Sequence, residues 1–167
     1  MKTQKGFSLI ELLIVIVIIG ILAALAVTGL MASRRSANEG STVSSLRLLH
    51  GAQMTYSTSF GLGEFAGATG APTISGLTIL RGYELIDPVL GSGSKSGYNF
   101  VGARVASSGT TPAQFFFSSI PVSSSSVTGT GIHRFGISTD GVMRQDSTIA
   151  SHYGDIGAVS AASPMGN

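Results

Sequence analysis

The chain contains no cysteine, which excludes disulfides and thiolate metal sites and leaves its compartment open. Whatever head it folds must hold together by other means. Charge is scarce as well, at 11% of residues. The net charge of +2 rests on Lys2 and Lys5, and the other eight basic residues balance eight acidic ones, which is poor footing for nucleic-acid binding. No proline precedes Pro72, so a long first stretch is free of the strongest helix breaker. His50, His133 and His152 lie in a serine-rich chain with no G-x-S-x-G and no zinc-type spacing, so the sequence points to no enzyme, metal or cofactor. It shows no internal repeat.

What is abundant is apolar sequence near the start. From Phe7 to Ala32 only Ser8, Glu11, Gly20, Thr28 and Gly29 interrupt it. A spanning helix needs about 20 such residues. The run exceeds the roughly 7–15 residues of a signal-peptide core and leads into further helix-compatible sequence, so a retained membrane helix over about 7–30 is expected. Lys2 and Lys5 favour a cytoplasmic N-terminus, whereas Arg34 and Arg35 argue the opposite, so charge alone leaves the orientation open.

Beyond Arg35 the pattern becomes amphipathic. Val43, Leu46, Leu49, Ala52 and Tyr56 recur at spacings of three and four, while Ser41, Thr42, Ser44, Ser45 and Arg47 fill much of the remaining surface. The helix should stop near Ser59-Phe60-Gly61, giving one helix over about 7–60 that is roughly 80 Å long. Residues 61–76 read as a loop and 83–90 as a short helix or turn before the loop GSGSKSG. Strands follow at 98–105, 113–120 and 132–138, the last joined to 142–145 through the hairpin signal Asp140-Gly141. The fold class is therefore α+β, with an antiparallel sheet over about 98–145 in a 61–167 head. The helix stripe should cover one sheet face and leave the other wet. The tail from Ser147 reads as irregular and suited to lie over a sheet edge.

Glu11 is the conspicuous residue. A carboxylate at the centre of a spanning helix costs about 2.5–3.5 kcal/mol, less near an end. It stands four residues after Phe7, about 6 Å of helix rise, and helical side chains lean toward the N-terminus. An amine at Phe7 would therefore be within its reach.

The stretch KGFSLIELLIVIVIIGILAALAV (5–27) closely resembles the type IV prepilins and the related pseudopilins of type II secretion. The resemblance implies a cytoplasmic leader (1–6) cut after Gly6 by a prepilin peptidase, which also N-methylates Phe7. It implies that Glu11 supports assembly of the chain with itself into a helical filament, through inner-membrane assembly machinery. It also sets the orientation: leader in the cytoplasm, head outside the inner membrane, then the cell surface once assembled. Gly20 matches a glycine common in the family near a stretch that loosens in filaments. Thr28 stands where a proline is frequent, so Gly20 and Gly29 are left as the candidate softening positions. More weakly, STVSSLRLLHGAQMTYSTSFG, ELIDPVLGSGSKSGYNF and HRFGISTDGVMRQD resemble bacterial pilin-like heads.

The implied function is a pilin serving adhesion, surface motility or DNA uptake. The alternatives are a type II secretion pseudopilin acting as a periplasmic piston, and a single-pass anchored binding protein that never polymerises. Many family members staple the C-terminal region with a disulfide or calcium. The first is excluded here, and Asp140, Asp146 and Asp155 are too scattered to argue the second. Arg34, Arg35 and Arg47 suit a solvated or interfacial helix face better than DNA.

Overall fold

The computed structural model describes residues 6–125 and 128–166. Lys2 and Lys5, most of the leader, and the side chain of Thr28 lie outside the described set. The chain divides into two units, Met1–Arg34 and Arg35–Asn167. One helix, α1 (Leu9–Ser59), is the secondary structure described in the first unit and the opening element of the second. Gly20 and Gly29 are helical, and a Cβ at either would meet nothing.

In the second unit α1 is followed by α2 (Ser75–Gly82), α3 (Pro88–Gly91), β1 (Ser94–Lys95), β2 (Tyr98–Val105), β3 (Gln114–Pro121), β4 (Arg134–Ser138), β5 (Arg144–Asp146), α4 (Ile156–Ala161) and β6 (Ser163–Pro164). The six strands form one antiparallel sheet in chain order. This is the expected α+β arrangement of a long N-terminal helix and an antiparallel sheet. The sheet is wider than the sequence suggested, running from Ser94 to Pro164. Its two extra strands are two residues each, too short to carry an alternating pattern.

The core lies between the α1 stripe and one sheet face. Leu46, Leu49 and Ala52 pack with Phe115, Phe117, Phe135 and Ile137, and Val43 and Tyr56 sit half-buried at the margin. The buried stripe is wider than its apolar residues. Thr42, Ser45 and Gln53 are buried too, contrary to the reading of Thr42 and Ser45 as outer-face residues. Each falls within one helical step of a stripe residue, so side-chain position overrides polarity. Thr42 satisfies its hydroxyl on the Asn38 carbonyl at 2.8 Å. Gln53 donates to the Ala66 carbonyl at 2.7 Å and accepts the Ala66 N–H at 2.8 Å.

Three other expectations change. The 61–76 loop gives way to α2 at Ser75, and Thr73 pairs with Gly102 of β2. The opposite sheet face is not simply wet, because Phe116 and Ala103 pack there with Tyr153 and Val159. Those residues come from the tail, which carries α4 and β6 and is not irregular. Gly136 makes room for Tyr153: a Cβ there would sit 2.9 Å from the ring.

The Asp140-Gly141 turn is present, with Gly141 at φ 72 donating to the Ser138 carbonyl at 2.9 Å. The β4–β5 pairing begins farther out, at Gly136↔Arg144, whereas β4 pairs with β3 from Phe135 through Ser138.

Candidate functional site

Gly6, Phe7 and Ser8 precede the helix in non-helical conformation, and Phe7 is 78% exposed. From Leu9 to Leu30 every large apolar side chain is at least 49% exposed. α1 is long and apolar enough to cross a membrane, with none of its most apolar window buried within the chain. A helix apolar all round is solvated by lipid or by other helices.

Glu11 is the one carboxylate in this unit. It is not stranded: its Oε2 accepts the Ser8 backbone N–H at 3.0 Å. Ser8 precedes the first helical residue, and the Leu12 N–H donates to the Ser8 carbonyl at 3.3 Å. Ser8-Leu9-Ile10-Glu11 thus has the spacing of a capping box, with the carboxylate reaching back to an otherwise unpaired N–H. That Ser-x-x-Glu spacing is already present in the sequence. The N–H is neutral, so among the described residues Glu11 has a hydrogen-bond donor but no ion-pair partner.

In the second unit, the first turns of the amphipathic segment fasten the β3–β4 connection. Arg35 Nε donates to the Gly129 carbonyl at 3.1 Å and Asn38 Nδ2 to the Thr130 carbonyl at 2.9 Å. Glu39 Oε1 accepts the N–H of Ile132 at 2.8 Å and of His133 at 3.3 Å. His133 Nδ1 lies 3.4 Å from Glu39 Oε2, and the buried Tyr98 hydroxyl donates to the His133 carbonyl at 2.9 Å. Burial first, then the Glu39 carboxylate, pushes the Tyr98 phenol above its ordinary range. No local sequence pattern announces the α1 contacts, since their partners are more than ninety residues apart.

The histidines are held separately. His50 Nε2 is 3.5 Å from the Thr139 carbonyl, and its ring lies against Phe115. His152 Nδ1 is 3.2 Å from the Ser118 hydroxyl, and burial pushes its imidazole toward the neutral form. Asp140 accepts from Ser138 and Val142 and pairs with Arg144, the work of a turn residue. Asp155 caps α4 through the Ala158 N–H, and Asp146 pairs with Arg134. Among the described residues no three His, Asp or Glu side chains gather as metal ligands.

Residues 1–27 match the prokaryotic N-terminal methylation motif. The chain is 45% identical over 56 residues to the type II secretion system core protein G of Klebsiella pneumoniae, covering 34% of this chain and 40% of the relative. It is 59% identical over 39 residues to the type IV wide pilus major component PilA4 of Thermus thermophilus, covering 23% of this chain and 30% of the relative. The Escherichia coli core protein G is 43% identical over 53 residues, 32% of this chain and 37% of the relative. The chain thus spans well under half the length of these relatives. No solved structure matches it.

Proposed function

From this pilin-like N-terminus, shared with a pilus component and with secretion-system core proteins, we propose a structural subunit of a type IV pilus-like filament. Prepilin peptidase cuts after Gly6 and methylates Phe7. The helix then leaves the inner membrane to pack against copies of itself, and the filament stands outside the cell, serving adhesion, surface motility or DNA uptake. Gly20 and Gly29 are the proposed points where the packed helix softens. The observation that carries the reading is an apolar helical stretch, Leu9–Leu30, whose large side chains are all at least 49% exposed, with one carboxylate four residues after the residue that cleavage turns into an ammonium.

Before cleavage the Phe7 nitrogen is an amide and neutralises nothing. Afterwards it is a cation, and methylation keeps the charge. An unpaired charge buried in an apolar bundle is strongly unfavourable, and breaking a buried pair costs about 3–5 kcal/mol. Each incoming subunit is therefore stable where its Glu11 and an ammonium at Phe7 neutralise each other.

Glu11→Gln separates charge from capping, because an amide oxygen still accepts the Ser8 N–H. The expected result is a precursor that is cut after Gly6, shown by mass spectrometry of its N-terminus, while filaments in sheared fractions collapse. Wild-type filament levels from that variant would remove the charge pair from the account. Mature protein that still begins before Gly6 would remove the filament reading itself and leave the anchored binding protein.

The second reading is the pseudopilin, favoured by the 56-residue match to core protein G. Long surface fibres made mainly of this chain select the pilus. Processed protein that forms no such fibres, in cells that fail to secrete when it is deleted, selects the piston.

A further inference from the structure

This inference rests on the filament reading and concerns where one head meets the next. Most charges of the second unit are engaged within the chain: Lys95 with Asp87, Arg104 with Glu64, Arg134 with Asp146 and Arg144 with Asp140, while Glu39 accepts the N–H groups of Ile132 and His133. Asp155 caps α4. Among the described residues Arg47 and Glu84 are exposed charges whose side chains have no such partner. Arg81 is a third, and its stem lies across Gly91 at the α2–α3 junction.

Arg47 and Glu84 belong to surfaces of opposite character. Arg47 borders a groove of about 440 Å3 between α1 and the β4–β5 end of the sheet, shared with Glu39, Val43, Phe135, Gln145 and Met165. Glu84 belongs to an apolar surface at the C-terminal end of α1. There Phe60 and Tyr83 are 48% and 46% exposed with ring centroids 4.5 Å apart, and Leu62 is fully exposed. Glu84 follows Tyr83 directly, at φ 56. Exposed aromatic and aliphatic groups clustered in this way mark contact surfaces. One face offers a half-apolar groove with an unmatched cation, the other apolar groups with an unmatched anion.

We propose that the Phe60–Tyr83–Glu84 surface of one copy docks in the Arg47 groove of a second copy, with Glu84 meeting Arg47. The two surfaces are different patches of one molecule, so the contact is head-to-tail and propagates from copy to copy, as a filament requires, rather than stopping at a dimer. The groove centres on Val43 and the knob on Phe60, seventeen residues along one helix, so parallel copies in contact are offset by about 25 Å along α1.

The absence of cysteine makes the test clean. Full-length Arg47→Cys/Glu84→Cys chain is assembled in cells, and its sheared filaments are oxidised and run on a non-reducing gel. The expected result is a ladder of dimers and higher multimers from the double variant and no ladder from either single variant. Abundant filaments of the double variant without a ladder overturn the interface and leave the filament reading standing. No filaments from the wild-type chain overturn the filament reading, and this interface with it.

If only the double-cysteine variant fails to assemble, charge reversal decides. Arg47→Glu or Glu84→Arg alone should lower filament yield about tenfold through like-charge contact, and the two together should restore most of it. Unchanged yield from the single variants, or no recovery in the double, overturns the pairing.

Discussion

Gln53 offers a sharp test of how the head is built. It is 1% exposed, and its amide holds both backbone polar groups of Ala66, itself 2% exposed, at 2.7 and 2.8 Å. Ala66 lies in the connection between α1 and α2, where no strand satisfies its N–H and C=O. Gln53→Leu keeps the volume roughly constant and strands one donor and one acceptor in the core. Each unsatisfied group costs about 1–3 kcal/mol. The added apolar surface returns about 1 kcal/mol, so the net loss is about 1–5 kcal/mol. Denaturant unfolding of the full chain in detergent, followed by circular dichroism, reads this as a lower midpoint at unchanged slope. Thr55→Val is the control. Its exposed hydroxyl bonds to the Gly51 carbonyl of the same helix, so the change should stay within about 0.5 kcal/mol. A Gln53→Leu midpoint matching wild type would refute the claim that Gln53 pins the connection. It would place Ala66's hydrogen bonds elsewhere.

Two further predictions concern the sheet. The Thr148 N–H, and next the Arg134 guanidinium, hold the Asp146 carboxyl at about 2, below its ordinary 3.8. The lowered value means the contribution is complete above about pH 4 and is lost as pH falls toward 2, so unfolding midpoints should decline across that window, and Asp146→Asn should flatten the decline. Gly131→Ala would drive a methyl into the hydroxyl and ring of Tyr98, which is fully buried and bonded to the His133 carbonyl. The expected cost is about 1–3 kcal/mol in the denaturant midpoint, and a neutral result would show that the β3–β4 connection yields freely there.

The sequence announces elements whose chemistry is local and repetitive. The apolar run, the stripe from Val43 to Tyr56, β2 with β3, and the Asp140-Gly141 turn each follow from spacing or dipeptide chemistry. What it hides is decided at a distance. β1 and β6 exist because neighbouring strands offer unpaired edges, not because Ser94-Lys95 or Ser163-Pro164 favour extension. The tail is too rich in Gly, Ala and Ser to look like core. Tyr153 and Val159 nevertheless suffice to anchor it, helped by Arg134 and Arg144 donating to the carbonyls of Ser151 and Ser160. These two guanidiniums bridge Asp146 of β5 and Asp140 of the β4–β5 turn to tail carbonyls. Ser8 is the contrary case: Ser-x-x-Glu at a helix start is a local signal, overlooked beside the membrane cost of Glu11.

That capping contact changes what Glu11 needs from a partner. A hydrogen bond to a charged group contributes about 1.5–3 kcal/mol, comparable to the cost of placing a carboxylate in a spanning helix. On the proposed reading the uncut chain therefore sits in a bilayer without strong penalty, and instability of the precursor is not what drives assembly. The Ser8 N–H belongs to the same chain and is present with or without a neighbour, so it cannot tell the carboxylate where the next subunit lies. An ammonium at Phe7 would differ on both counts: it would arise only with the proposed cleavage, and it would attract over distances at which a neutral N–H has no effect. On the proposed reading, capping makes the precursor tolerable and charge sets the register of the filament. The two roles fall on different atoms of the partner, which is why an amide in place of the carboxylate should preserve one and abolish the other.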